Sequence, residues 1–262
     1  MEALQATLWM ELLKIRKSTV FRLSIYFFIF IGMMMGLLMY LSMHPEIASR
    51  SSTVRMKTSF LGGSDWNGYF GLLMQIVLTV GVIGAGFVTS WGFGREFADR
   101  VVKDLLALPV SRSTIVISKL FILFAWSILL MIVVLLAAMA TGFLIKLPGW
   151  SEADFMHFLK VYMICAVLNA LLISPVAFAA SAGRGYMLPI SFVILIMILT
   201  QMLFIGLPQL SIWFPWAVPA LYSGVAGIAV PEAGPISYLL YGLVVLAGVL
   251  GTIGWWRFAD HK

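Results

Sequence analysis

Charge is scarce in this chain. Only 11% of its 262 residues are Asp, Glu, Lys or Arg, against 62% hydrophobic. A soluble domain carries about 25% charged residues, so a water-facing surface over most of the chain is excluded. The composition is that of an integral membrane protein, with no room for a second substantial soluble domain. Cysteine is nearly absent. The single Cys165 excludes an intrachain disulfide framework, and within an apolar run, with no histidine near it in sequence, it reads as a small core residue. Histidine is as thin: His44, His157 and His261 lie far apart, and no H-E-x-x-H stretch occurs. The middle of every long apolar run lacks Asp, Glu, Lys, Arg and His. That argues against a membrane hydrolase and against a proton- or ion-coupled transporter, both of which need ionisable groups at depth. No G-x-x-x-x-G-K-[ST] stretch is present, so the chain does not hold ATP in the P-loop manner. No catalytic residue, bound cofactor or metal ligand is expected in this chain.

What the chain has is apolar length. Six segments reach the span of about 20 residues that a bilayer crossing needs: 20–42, 69–93, 119–145, 161–182, 187–207 and 236–258. No cleavable signal peptide is expected, because the run after Arg22 is too long for an h-region and Glu2 and Glu11 precede it. The net charge of +6 reads as loops facing anionic lipid rather than as a nucleic-acid surface, since no separate basic domain exists. With the N-terminus inside, twelve of the 17 Lys and Arg fall on the cytoplasmic side, and Arg50, Arg55, Lys57, Lys146 and Lys160 fall outside. This bias places both termini in the cytoplasm. The expected fold is an all-α integral membrane protein. Residues 1–19 form an amphipathic surface helix and 20–262 a six-span transmembrane domain. Leu4, Leu8, Leu12 and Ile15 supply the helix's apolar stripe, and Lys14, Arg16 and Lys17 its basic end. Residues 208–235 are broken by five prolines and carry no Lys or Arg. A re-entrant outer segment shielded by protein and a loop lying on the outer surface both fit.

The most informative segment is GFGREFADRVVKDLLALPVSRSTIVISK, from residue 92 to 119. Residues 95–108 read as an amphipathic helix. Phe97, Val101, Leu105 and Leu108 form its stripe, and Arg95, Glu96, Asp99, Arg100, Lys103 and Asp104 its polar surface. Glu96–Arg100 and Asp99–Lys103 are i,i+4 pairs of favourable polarity. Pro109 ends the helix, and Ser111 or Ser113 caps the next. A solvated loop and a rigid lever that transmits a partner's movement are both compatible with this pattern.

The run Arg95-Glu96-Phe97, then the leucine-rich Lys103 to Leu108, then Pro109-Val110-Ser111-Arg112 before a long span, resembles the permease subunit of ABC-2 type transporters. The likeness is to the small six-span permeases of bacterial drug and antimicrobial-peptide export systems. The resemblance implies a coupling helix at 95–108 that contacts a separate cytoplasmic ABC ATPase, present in two copies with ATP and Mg2+ bound there. It implies a second permease copy, identical or related, in a bacterial plasma membrane. The expected function is export of a hydrophobic or amphipathic substrate: an antimicrobial peptide, a drug or a lipid-like molecule. A non-transporting scaffold or immunity protein and an exporter of lipid or cell-envelope components stay open as alternatives.

Several uncharged positions are candidates for a substrate path or for helix packing. Met35 and Met39 lie in the methionine-rich outer half of span one, where flexible thioethers suit an adaptable greasy wall. Thr79, Asn169, Ser174 and Gln201 are polar spots in spans two, four and five. Helix–helix hydrogen bonding, or satisfaction of backbone freed by Pro175, is the structural alternative for them. Gly32 and Gly36 form a G-x-x-x-G, and Gly81 and Ala85 a second small ridge. Each suits close helix contact, within the chain or between copies.

Overall fold

The computed structural model describes residues 2–44, 63–99, 110–225 and 230–258. Among them the regular elements are all helical: α1 (Glu2–Lys17), α2 (Thr19–Met43), α3 (Trp66–Ala98), α4 (Arg112–Leu144), α5 (Glu152–Leu171), α6 (Ile173–Ala182), α7 (Met187–Gly206), α8 (Val218–Ser223) and α9 (Pro235–Phe258). Six helical stretches are long and apolar enough to cross a membrane: α2, α3, α4, α5 with α6, α7 and α9. The helix starts follow local chemistry. Ser18, Asp65, Ser111 and Ser151 each accept a hydrogen bond from a first-turn N–H, capping α2, α3, α4 and α5. Ser111 is thus the cap before the third span, and α4 begins at Arg112, two turns ahead of Lys119.

α3 is the central helix and packs against α4, α5, α6 and α7. Small residues let its neighbours close in. A Cβ on Gly32 would lie 2.7 Å from Ala137 Cβ, and one on Gly36 would collide with Thr141, so α2 lies directly on α4. The fourth span is two helices broken at Leu172. Pro175 cannot donate to the Leu171 carbonyl, and Ser174 Oγ donates to it instead at 3.2 Å. The same hydroxyl lies 2.9 Å from Val245 O on α9. α9 approaches this break so closely that a Cβ on Gly248 would sit 2.5 Å from Pro175 N.

α1 lies along α4. Its packed face is not the leucine stripe read from the sequence. Thr7, Glu11 and Ile15 are buried, whereas Leu4, Trp9 and Leu12 are exposed. Thr7 Oγ1 is 2.8 Å from Ser118 Oγ. The packed face of α1 thus mixes polar Thr7 and Glu11 with Ile15 of the stripe, while Leu4 and Leu12 face outward, because α4 offers it hydrogen-bonding and charged groups.

The proline-rich stretch forms two 3-10 turns, Pro208–Trp213 and Pro215–Ala217, leading into α8. Ala217 and Val218 are fully buried. The Cys165 thiol, itself buried, donates to Pro219 O at 3.3 Å, fastening α8 to α5. Gly224 ends α8 at φ 70°, a left-handed conformation that glycine adopts without strain.

Candidate coupling site

The charged groups at one end of the molecule converge on Lys119. Its ammonium lies 2.6 Å from Glu96 Oε1 on α3, 3.0 Å from Glu11 Oε2 on α1 and 3.3 Å from Gly92 O. It also sits over the Phe93 ring, 5.6 Å from its centroid. Lys14 closes the cluster at 2.8 Å from Glu11 Oε1 and 3.3 Å from Glu96 Oε1. The two ammonium groups balance the two carboxylates. Lys119 is 2% exposed, Glu11 3% and Glu96 4%. Charges at this depth persist only when paired and hydrogen-bonded. Burial alone would raise the Glu11 carboxyl. The attraction of Lys119 and Lys14, and the hydrogen bonds they donate, outweigh it and hold Glu11 below the ordinary carboxylate value. One oxygen, Glu96 Oε2, is buried without a hydrogen-bond partner among the described residues.

Helix continuity explains why Glu96 turns inward. Arg95 to Ala98 are the last turn of α3 rather than the start of a separate helix. Glu96 follows Phe93 by three residues and shares its α4-facing side. The expected polar surface thus divides. Glu96 joins the cluster, while Arg95 and Asp99 stay exposed and pair with each other at 3.1 Å. Arg95 also lies over the Trp91 ring at 5.2 Å. Arg100, Lys103 and Asp104, with the rest of the expected coupling helix, lie outside the described residues.

A second set of contacts joins the same end to α9. The Phe93 and Phe97 rings meet the fully buried Trp256 at 6.2 and 5.9 Å. Trp256 Nε1 donates to Ser181 Oγ at 3.0 Å. Arg112, on the first turn of α4, donates to the carbonyls of Trp256 and Arg257 at 3.1 and 3.2 Å. It supplies positive charge and donors to the C-terminal end of α9. The segment 100–109 is therefore flanked by α3 and α4 ends that are each tied to other helices.

The sequence reading overlooked Glu11, Lys14 and Lys119 as members of a site. The available signal was Lys119 itself, a lysine at the mouth of a long apolar run, which demands a carboxylate partner if it faces inward.

The remaining candidates separate by location. Thr79, Asn169 and Gln201 line one cavity of about 290 Å³ between α3, α5, α7 and the 208–225 stretch. Ser174 bridges α6 and α9 instead. Met39 is fully buried and Met35 partly so, both on α2 and packed into the core. Gly32 and Gly36 face α4, Gly81 faces Met131 of α4, and Ala85 is buried. These small residues are thus used in packing within the chain.

Six membrane-length helices, with a buried ion cluster tying the N-terminal helix to the ends of two of them, define a multi-pass helical membrane protein. Residues 7–201 match the family described as ABC-2 family transporter protein, and the chain belongs to that family. It is similar to the bacitracin transport permease protein BCRB of Bacillus licheniformis, at 30% identity over 188 residues, covering 71% of this chain and 88% of that one. No solved structure matches.

Proposed function

We propose that this chain is the permease subunit of an ATP-driven exporter in a bacterial plasma membrane, with both termini cytoplasmic. The observation that carries the reading is the Glu96–Lys119–Glu11 cluster, which ties the end of α3 to α4 and α1 immediately before segment 100–109. Force applied to that segment by a soluble partner reaches three helices at once. The chain has no P-loop, so ATP and Mg2+ belong to a separate ABC subunit. Two such subunits close on ATP, shift the 95–108 segments of two permease copies, and bias the spans between two states of access. Hydrolysis resets them. The substrate class is an amphipathic or hydrophobic molecule, an antimicrobial peptide foremost. The bacitracin-transport description of the Bacillus licheniformis relative and the absence of charge in the middle of the spans support this. The stretch 208–235 serves as a re-entrant outer element, a reading supported by the burial of Ala217 and Val218 and by the Cys165 hydrogen bond to Pro219 O.

The test is gentle extraction with affinity purification, followed by intact-complex mass spectrometry. Two permease chains with two P-loop subunits is the expected mass. Recovery of this chain alone, repeated in lipid nanodiscs with ATP present, overturns the reading in favour of a non-transporting scaffold.

A further inference from the structure

The cavity between α3, α5, α7 and the 208–225 stretch has an unusual wall. Among the described residues it is lined by no Asp, Glu, Lys, Arg or His. Its polar groups are Gln75, Thr79, Asn169, Thr200 and Gln201, set among Leu78, Ile196, Phe204 and Trp216. Asn169 is 3% exposed. Its Nδ2 donates to Val77 O at 2.8 Å, which fixes the amide's orientation. Its Oδ1 is buried and has no partner among the described residues. A buried carbonyl oxygen left unbonded is costly, so this atom marks a place where a donor belongs.

The two threonines reinforce the same polarity. Thr79 spends its hydroxyl proton on Gln75 O at 2.7 Å, and Thr200 spends its own on Ile196 O at 2.8 Å. Each keeps acceptor lone pairs and has no proton left to give. Asn169 Oδ1 and the two threonine oxygens keep free acceptor capacity; the wall's donors are the second Nδ2–H of Asn169, the Trp216 indole and the amides of the exposed Gln75 and Gln201.

We propose that this cavity binds an uncharged, hydrogen-bond-donating group on an apolar body, specifically a peptide N–H flanked by aliphatic side chains. The unpartnered Asn169 oxygen selects the N–H, the lack of ionisable groups among the described lining residues rejects a charged centre, and the aromatic and aliphatic lining takes the side chains. A volume of about 290 Å³ is at the lower bound of small-molecule pockets and suits a short stretch of backbone rather than a whole peptide. As a substrate subsite this rests on the export reading above; as a binding site it does not.

The experiment uses the full chain in lipid nanodiscs and radiolabelled N-acetyl-leucyl-leucinamide. Its depsipeptide twin, in which one N–H is replaced by an ester oxygen, is the comparison. Saturable binding is expected, weaker for the ester by about five- to tenfold, the worth of one hydrogen bond. Asn169→Leu should erase that discrimination. Because this variant also strands the Val77 carbonyl, Ala220→Trp provides a second arm, filling the cavity from α8 and abolishing binding of both ligands. Equal affinity for amide and ester in the unmodified chain, or binding that survives Ala220→Trp, overturns the proposal. Transport is read separately, as ATP-dependent uptake of the dipeptide amide by vesicles carrying the purified complex. Saturable, amide-selective binding without such uptake upholds the site and counts against the export reading alone.

Discussion

Lys119 Nζ lies 2.6 Å from Glu96 Oε1, joining two helices that are separated in sequence by segment 100–109. The contact is nearly free of solvent, with side-chain exposures of 3% and 6%. In that setting the pair is held by mutual dependence. Forming it gains little net stability over an apolar pair of the same shape, because both ions lose hydration. Breaking it strands a buried charge. The cluster therefore acts as a constraint: α1, α3 and α4 move together at this end or lose a charge's partner.

Replacing Lys119 by Met should destabilise the chain by about 3–5 kcal/mol, the usual cost of removing one member of a buried pair. Glu11 and Glu96 would face each other with only Lys14, itself 36% exposed at the side chain, to compensate. The triple variant Glu11→Gln, Glu96→Gln, Lys119→Met should recover much of that loss, since no charge is then stranded. Thermal denaturation of the purified chain in mild detergent measures both. Equal loss in the single and triple variants would show that packing, not charge, dominates at Lys119.

The Glu11 carboxyl gives the cluster a pH signature. Its folded value lies below the ordinary 4.5, so folding favours its ionised form. The stability it adds is complete above about 4.5 and is lost as pH falls through the lower folded value. Wild type should exceed Glu11→Gln by a constant margin from neutral pH down to about 5, and the margin should shrink below that. Melting curves of both proteins across this range provide the check; a margin that changes between pH 5 and 8 contradicts the assignment.

Two glycines on α9 should respond oppositely to alanine. Nothing lies within 4 Å of a Cβ placed on Gly242, whereas one on Gly248 would meet Pro175 N at 2.5 Å and Ser174 C at 2.6 Å. Gly242→Ala gains helix propensity, up to about 1 kcal/mol. Gly248→Ala forces α9 off the α5–α6 break and should cost about 1–3 kcal/mol as overpacking. The two melting temperatures should move in opposite directions; a common shift would deny the close approach.

The spans were legible in the sequence because length and apolarity alone specify them. All six sequence segments have a counterpart among the membrane-length helices. Local chemistry narrowed the α4 cap to Ser111 or Ser113, of which Ser111 caps it, and offered Ser174 as a path residue or as a partner for backbone freed by Pro175, the second being the contact it makes. The ion cluster was not legible. Whether Glu96 points outward to a solvated i,i+4 partner or inward to Lys119 depends on α3 continuing unbroken past Phe93, which no local pattern decides. The inward polar face of α1 was hidden for a related reason. Nothing in the local pattern singles out Thr7 and Glu11 until Ser118 and Lys119 are placed opposite them. Likewise Thr79, Asn169 and Gln201 lie on three different helices, and only tertiary packing brings them to one cavity.

Arg112 supplies the last prediction. Its guanidinium bonds two terminal carbonyls of α9 from the first turn of α4, so the helix start just after segment 100–109 is tied directly to the final span. As a cap it should be worth about 1 kcal/mol. Arg112→Ala should therefore lower thermal stability modestly. If movement of that segment reaches the spans, coupled transport should fall further than stability explains, with ATP hydrolysis by the partner retained. Arg112→Lys keeps the charge but not the planar fork, so it should restore stability largely and coupling only in part. The ratio of substrate moved to ATP hydrolysed in reconstituted vesicles is the deciding readout. An unchanged ratio in Arg112→Ala would reduce Arg112 to a helix cap and leave the Lys119 cluster and the Phe93, Phe97 and Trp256 rings as the described ties between the segment and the spans.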